Sequence, residues 1–203
     1  MRYSMHDGER IVKAARAAVE LHLTVTNFNS KLVERHISDL DGNAAVFVSL
    51  EHYPTNITRG SAGFANAEHP MHHAVVAAAV AATQDTRYVP VSHLEFEHLV
   101  VEVSILSAME RLSGKGKGAV AKGIVIGKHG LHVEYGYHSS TFLPGFIVSN
   151  GWGAEEALDE LCIAAGLGGH VWKSPGAKLF TFTTQRFREI TPRGPVEEIT
   201  TER

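Results

Sequence analysis

Apolar side chains recur along the chain at two spacings, and the longer spacing predicts helices. From about residue 8 an apolar stripe runs opposite charged side chains, with Asp7 as the predicted N-cap. MHHAVVAAAVAAT, residues 71–83, carries no charged side chain and therefore predicts a helix packed on all sides. A third stripe over residues 154–165 ends at Gly166, so we predict a helix there as well.

The shorter spacing predicts strands between these helices. AVFVSL and NITRGSAG, residues 45–50 and 56–63, predict a β-hairpin, and GIVIGKHGLHVEYG predicts a second hairpin that turns at residues 127–130. LVVEVSILS places Glu102 on the strand face opposite its apolar residues, and KLFTFTTQRF predicts a last strand. Because strands and helices do not alternate regularly, we predict an α+β fold with an antiparallel or mixed sheet and packed helices.

Composition narrows the class of protein. The 203 residues are 44% hydrophobic, enough for a core, and the net charge of -3 does not favour nucleic acid as a partner. The single cysteine, Cys162, excludes a site built from several thiolates, and its place on an apolar stripe favours a buried residue over a reactive thiol. We find neither a signal sequence nor a membrane-spanning run, which predicts a cytoplasmic protein without a membrane partner.

TRGSAG, residues 58–63, is the first candidate site. Its spacing matches neither the G-x-S-x-G turn of hydrolases nor a phosphate or dinucleotide loop. Two interpretations remain: Gly60 and Gly63 allow a ligand close to the backbone while the Arg59 guanidinium binds a carboxylate or phosphate, or Arg59 forms an internal salt bridge at a strand end.

Other candidate groups have less specific patterns. EHPMHH supplies His69, His72 and His73, of which residues 69 and 72 could share a helix face as metal ligands do. No third ligand is adjacent to that pair, so we favour capping or solvent-facing roles and predict no metal site. His132 and Glu134 share one strand face, as an acid–base pair would, although an exposed face gives the same pattern. SGKGKG, residues 113–118, could cover a phosphate, but a solvated loop is favoured.

The ordered set of segments resembles the AMMECR family over about residues 8–190. Besides TRGSAG, it comprises the alanine-rich helix, TQDTRYVPVS, LVVEVSILS, IGKHGLHVEYG, FLPGFIVSNGWG and LCIAAGL followed by KLFTFTTQRF. The family hexapeptide L-R-G-C-I-G matches residues 58–63, with Ser61 in place of the cysteine, and the L-P-Q or L-P-E triplet is Leu143-Pro144-Gly145. Arg87 and Glu102 also occupy family-like positions.

The resemblance implies two unequal subdomains with the hexapeptide near a cleft between them. It implies a single AMMECR-type domain over residues 1–190, and we expect residues 191–203 to form a flexible tail. The binding residues expected are Arg59, Gly60, Gly63, Arg87, Glu102, His132, Glu134, Leu143 and Pro144. The resemblance names no cofactor.

Binding is the function favoured by these residues, because Ser61 is a weaker nucleophile than cysteine and no base is evident beside it. We expect an anionic small molecule or macromolecular partner, and the family's gene neighbours imply Memo-type and radical S-adenosylmethionine proteins in a macromolecule-modification system. One alternative is a hydrolase or group transferase that uses Ser61 as nucleophile or positioning hydroxyl. Another is a nucleic-acid-associated factor in transcription, repair or translation.

Overall fold

The computed structural model describes residues 2–113 and 119–199, and their arrangement confirms the α+β class. The helices are α1 Met5–Thr24, α2 Lys31–Glu34, α3 Met71–Ala82, α4 His93–Phe96, α5 Ala119–Lys122, α6 Pro144–Ser149 and α7 Ala154–Ala164. The strands are β1 Asn43–His52, β2 Ile57–Pro70, β3 Leu99–Leu106, β4 Glu110–Leu112, β5 Gly130–Tyr135, β6 His138–Phe142, β7 Lys178–Phe182, β8 Thr184–Glu189 and β9 Val196–Ile199. Arg35–Ile37 and Gly169–Lys173 are short 3-10 helices.

The chain divides into two compact units. The first unit contains residues 2–106 and 185–199, and the second contains residues 107–184. Each unit has its own hydrophobic core and its own sheet, with strand order β2-β1-β3-β8-β9 in the first and β4-β7-β5-β6 in the second. The second unit is therefore an insertion between β3 and β8 of the first. Residues 114–118 of the predicted basic loop lie outside the described residues.

Helix α1 begins earlier than the apolar stripe indicates. Ser4 is the N-cap, its hydroxyl accepts a hydrogen bond from the Asp7 amide at 3.1 Å, and the Asp7 carboxylate accepts one from the Ser4 amide at 3.2 Å. The prediction that Asp7 is the N-cap was therefore wrong. Asp7 is the third helical residue and completes a capping box, which satisfies two backbone donors at the start of the helix.

The five-stranded sheet has one apolar and one polar face. On the apolar face, side chains of β1 and β3 pack with α1 and α3 in the core of the first unit; they include Val46, Val48, Leu50, Val101, Val103 and Ile105. Alternation of side chains along each strand then sends the intervening residues to the other face. The prediction that Glu102 lies opposite the apolar set is confirmed.

A buried ion pair connects α1 to β8 within the core of the first unit. The Arg16 guanidinium binds both carboxylate oxygens of Glu189, through Nε and Nη2, and donates to the Leu99 carbonyl at 2.6 Å. Glu189 also accepts the Val101 amide at 2.9 Å. The Glu189 carboxylate thus accepts three hydrogen bonds, whereas Nη1 of Arg16 is buried without a hydrogen-bond partner among the described residues.

The second hairpin differs from the one predicted. Residues 124–129 form no strand; the hairpin consists of β5 and β6, with Tyr135 opposite His138 and Gly136 at φ +61° in the turn. The chain does turn at residues 126–128, with Gly127 at φ +82°, but this turn does not join two strands as predicted. The prediction of a strand before it was wrong because Ile124, Val125 and Ile126 resemble a strand only in composition. Only Ile124 of these is buried, and β6 is too polar to be recognised from its sequence.

The end of the chain contains two further differences. KLFTFTTQRF contributes to two strands in different sheets, β7 in the second unit and β8 in the first. Within the segment expected to be a flexible tail, β9 pairs antiparallel with β8, from Arg186 opposite Ile199 to Glu189 opposite Val196. This pairing satisfies backbone groups that a free tail would leave to solvent.

Candidate functional site

Arg59 is the extra residue of a β-bulge. Leu50 of β1 pairs with Gly60 of β2, whereas Glu51 pairs with Thr58, so Arg59 has no partner on β1. Such a bulge redirects the side chain of the extra residue. Arg59 is therefore unpaired in the β1–β2 ladder, whereas its neighbours Thr58 and Gly60 are paired.

The Arg59 guanidinium is occupied within the first unit. Its Nε and Nη2 bind the Glu95 carboxylate, Nη2 also donates to the Val89 carbonyl at 2.6 Å, and the guanidinium lies 5.6 Å from the centre of the Tyr88 ring. The side chain is 15% exposed. Of the two interpretations, the internal salt bridge is the one that the structure contains.

Gly60 and Gly63 are required by close backbone contacts. A Cβ on Gly60 would lie 2.2 Å from the Ala82 carbonyl oxygen at the end of α3, and one on Gly63 would lie 2.2 Å from the Val46 carbonyl oxygen. Real Cβ atoms do not come this close to backbone atoms. The two glycines therefore permit β2 to pack against α3 and β1.

Ser61 is connected to Arg87 through Asp85. The Ser61 amide donates to Asp85 Oδ2 at 2.9 Å, and Arg87 Nη2 donates to the same oxygen at 2.6 Å. Burial raises the pKa of Asp85, but the hydrogen bonds from Arg87 and from the Ser61 amide outweigh it, and the pKa lies below its usual value. Asp85 is thus an ionised group that holds Arg87, itself half exposed, beside Ser61.

The Ser61 side chain belongs to the polar face of the five-stranded sheet. Its hydroxyl lies 3.0 Å from the Ser49 hydroxyl, and Ser49 is directly opposite Glu102 on β3. Antiparallel partners have their side chains on the same side of a sheet, so the three residues form a row across β2, β1 and β3. We use "polar face" for this row together with Glu51, Ser104, Arg186 and Arg188.

Glu102 is fully compensated on this face. Arg186 donates to its two oxygens from Nε at 2.9 Å and from Nη2 at 2.8 Å, and Ser104 donates to Oε1 at 3.3 Å. Paired parallel bonds of this kind are the strongest contact between a guanidinium and a carboxylate. Three hydrogen-bond donors thus replace water around the Glu102 carboxylate, which is only 3% exposed.

Glu51 is held much more loosely on the same face. Its one hydrogen bond among the described residues comes from Arg188 Nη1 at 3.4 Å. Burial and the nearby Glu102 charge raise the pKa of Glu51 to about 7, against smaller opposing effects of Arg188 and Arg186. A carboxyl group with such a pKa can exchange a proton near neutral pH, which is typical of functional sites.

The second unit holds the remaining predicted residues. His132 Nε2 lies 3.7 Å from Glu134 and its Nδ1 lies 2.7 Å from the Thr141 hydroxyl. Burial lowers the pKa of His132, although Glu134 partly opposes this. Leu143 is the N-cap of α6 and Pro144 its first residue, so these two positions determine where that helix begins.

The structure brings together only part of the predicted set. Six residues lie in the first unit and four in the second: the first group comprises Arg59, Gly60, Ser61, Gly63, Arg87 and Glu102, and the second His132, Glu134, Leu143 and Pro144. Sequence reasoning missed five residues that surround Ser61 or share its face: Ser49, Glu51, Asp85, Arg186 and Arg188. The signal for Ser49, Glu51, Arg186 and Arg188 is the polar residue at every second position of AVFVSLE and TQRFRE, whereas Asp85 lies in neither segment.

The histidine and cysteine predictions can be compared with the structure directly. His73 is exposed and lies 3.4 Å from Glu34, while the His69 and His73 rings are 5.4 Å apart. Cys162 is completely buried, which confirms its predicted place in a core. Among the described residues, no three histidine, cysteine or acidic side chains come together as a metal site would require.

Within the described ranges, no helix combines the length and apolarity needed to cross a bilayer.

The AMMECR1 family model matches residues 12–187. Protein MJ0810 of Methanocaldococcus jannaschii is 35% identical over 196 residues, covering 96% of each chain, and protein PH0010 of Pyrococcus horikoshii is 37% identical over 194 residues, covering 94% of this chain and 93% of that one. The crystal structure of PH0010 is similar with a TM-score of 0.86 at 34% identity, covering 96% of this chain and 97% of that chain.

Proposed function

The chain belongs to the AMMECR1 family, and we propose that it is a binding protein. It binds an anionic group of a ligand or partner at a site beside Ser61. Arg59 and Arg87 are each paired with a carboxylate, and we assign this role to Arg87 because its side chain is 50% exposed whereas that of Arg59 is 15% exposed. Arg59 instead holds Glu95 and the Val89 carbonyl, which fixes the segment next to Arg87.

One observation carries the proposal: Asp85 holds the Ser61 amide and the Arg87 guanidinium on a single oxygen atom. The arrangement connects a half-exposed cation to the backbone of Ser61, whose hydroxyl contacts that of Ser49. An ionised oxygen ligand can accept hydrogen bonds from both kinds of donor, and bonds to ionised groups are stronger than neutral ones.

Thermal-shift screening tests the proposal. We would screen nucleotides, sugar phosphates and dicarboxylates, and expect at least one to raise the melting temperature of the wild-type protein. Arg87→Ala should reduce the affinity for that compound about tenfold or more, the loss of one charge-assisted hydrogen bond. Arg10→Ala, which removes another guanidinium paired with an aspartate, Asp39, in the same unit, is the matched control.

An unchanged affinity in folded Arg87→Ala would contradict the proposal, as would an equal loss in Arg10→Ala. Arg59→Ala gives a second comparison. We expect it to lower stability, since Glu95 would lose its main partner, with a smaller effect on affinity than Arg87→Ala at temperatures where both variants are folded.

An enzyme that uses Ser61 is the second candidate function, and one observation favours it. Glu51 shares the polar face with Ser61, and its pKa of about 7 suits a general base. The Ser61 hydroxyl itself contacts another hydroxyl, that of Ser49, so proton transfer from Ser61 to Glu51 would need a change of side-chain position.

Ser61→Ala separates the two functions once a ligand is known. Loss of a nucleophile should lower a turnover rate by several orders of magnitude, whereas loss of a binding hydroxyl should weaken affinity only about tenfold. Ser61→Cys restores a nucleophile and should retain or increase turnover in an enzyme. If neither wild type nor Ser61→Cys turns the ligand over, the enzyme hypothesis is rejected and the binding function is retained.

A further inference from the structure

Two arginine–glutamate contacts on the polar face differ sharply in geometry. Arg186 binds Glu102 through two hydrogen bonds of 2.9 and 2.8 Å. Arg188, two residues along the same strand, reaches Glu51 only through Nη1 at 3.4 Å and Glu197 of β9 only at 3.7 Å from Nη2. The second contact is too long for a hydrogen bond.

The difference lies in one edge of the guanidinium, the edge formed by Nε and Nη2. Four other arginines of the first unit bind a carboxylate through this edge: Arg16, Arg59, Arg87 and Arg186. In Arg188, Nε is buried and has no hydrogen-bond partner among the described residues. A buried donor without an acceptor costs free energy, so an acceptor at this edge would be favoured.

Because Nε itself is buried, an acceptor can reach this edge of Arg188 only when a neighbouring side chain moves away. The Arg188 side chain is 20% exposed, and Glu197, the carboxylate next to Nη2, is 44% exposed on the edge strand β9. Glu197 can therefore move into solvent at little cost. A ligand oxygen that replaced it would meet Nη2, and a second oxygen of the same group would meet Nε.

We propose that the Nε and Nη2 edge of Arg188 is a binding site for an oxyanion, a carboxylate or a phosphate group, and that Glu51 takes up a proton when the anion binds. The site is separate from Arg87 and does not depend on the proposed function. Planar or tetrahedral oxyanions fit this edge because two of their oxygens match its two donors.

The coupling to Glu51 follows from the charges around it. Glu51 faces Glu102 of β3 and the guanidinium groups of Arg186 and Arg188 of β8. A bound anion neutralises Arg188, the cation in contact with Glu51, and so raises the pKa of Glu51 further above its value of about 7. Binding should therefore consume a proton between pH 7 and 8.5 and weaken as the pH rises through that range.

Nuclear magnetic resonance provides a direct test. We would titrate the full chain with sodium sulfate or sodium acetate at constant ionic strength, at pH 6.5 and 8.5, and follow the arginine Nε–Hε signals. Sulfate stands for phosphate because its charge does not change in this range, whereas a phosphate group has a pKa near 6. Arg188→Lys identifies the Arg188 signal by its loss.

We expect the Arg188 signal to shift with one of the two salts, with saturation, and affinity to fall several-fold from pH 6.5 to 8.5. A response to sulfate alone points to phosphate ligands, and a response to acetate alone points to carboxylates. Arg188→Lys keeps the charge but loses the two-donor edge, and should bind at least tenfold more weakly. Glu51→Gln should bind with little pH dependence.

Arg193→Lys is the matched control, because its guanidinium already binds Glu20 and Glu97. An Arg188 signal unaffected by both salts would overturn the anion site, and this measurement on the wild type does not depend on any variant folding. Equal affinities of wild type and Arg188→Lys would overturn it as well. Binding at Arg188 whose pH dependence persists in Glu51→Gln would overturn the coupling to Glu51.

Discussion

At the scale of single residues, Gly60 shows how a motif that resembles a ligand loop can serve packing. The side-chain position of Gly60 is filled by the carbonyl oxygen of Ala82 at the end of α3. No rotamer change can remove such a contact, since both groups are backbone. The packing of β2 against α3 next to Ser61 thus requires a glycine at position 60, whether or not Gly60 contacts a ligand.

Gly60→Ala is expected to destabilise the protein by about 3 kcal/mol, the upper range for overpacking a tight site. Chemical denaturation monitored by circular dichroism measures the loss. Gly168→Ala is the control, since the nearest neighbour of a Cβ added there, a Val171 side-chain carbon at 3.8 Å, is at ordinary contact distance. Equal stabilities of the two variants would show that β2 can move away from α3.

Glu51 makes stability depend on pH in a defined direction. Its pKa rises from 4.5 to about 7 on folding, so the folded state binds the proton more tightly. The corresponding stabilisation is complete below pH 4.5 and is lost as the pH rises through 7.

Glu51→Gln removes this dependence because the amide does not ionise. Relative to wild type, the variant should gain about 2 to 3 kcal/mol in free energy of unfolding between pH 5 and pH 8. Urea denaturation at both pH values measures the change. A difference between variant and wild type that is the same at pH 5 and 8 would show that Glu51 has an ordinary pKa.

At the scale of elements, helix α1 depends on a cap that lies before its apolar stripe. Ser4→Ala removes the hydroxyl that accepts the Asp7 amide, and we expect a loss of about 1 kcal/mol in the free energy of unfolding. Ser30→Ala is the matched control, because Ser30 is the N-cap of α2 without a side-chain cap hydrogen bond. A larger loss in Ser30→Ala would contradict the importance of the capping box.

Elements differ in how far the sequence specifies them. Helix α3 was predicted correctly because a helix without charged side chains is stable only when it is buried. The β1–β2 hairpin was predicted correctly because polar turn residues separate two strand patterns. Strand β6, HSSTF, contains one buried residue, so its place beside β5 depends on pairing with another strand. Local patterns contain no information on such partners.

The candidate site was predicted only in part for a similar reason. The sequence identified Ser61, Arg87 and Glu102, but the partners that determine their roles are distant in the chain: Asp85 for Ser61, and Arg186 for Glu102. It also could not distinguish a ligand-binding Arg59 from a salt-bridged one. That distinction depends on the bulge, which follows from the register of β2 against β1.

At the scale of the whole molecule, the second unit is expected to fold by itself. It has its own sheet and its own buried cluster, which includes Leu131, Val133, Ile147, Leu158 and Leu161. Residues 107–184 expressed alone should show a cooperative thermal transition in near-ultraviolet circular dichroism. A gradual loss of signal without a transition would show that this core needs the rest of the chain.

The two ends of the second unit, at Ser107 and Thr183, are connected by hydrogen bonds. Ser107 donates its amide to the Thr183 carbonyl at 2.9 Å, and the Ser107 hydroxyl accepts the Thr183 amide at 3.0 Å. The whole unit therefore enters the first unit at a single site between β3 and β8, and neither of these strands has to change its course to accommodate it. The same junction marks where an engineer could exchange that unit for a foreign one whose termini lie equally close.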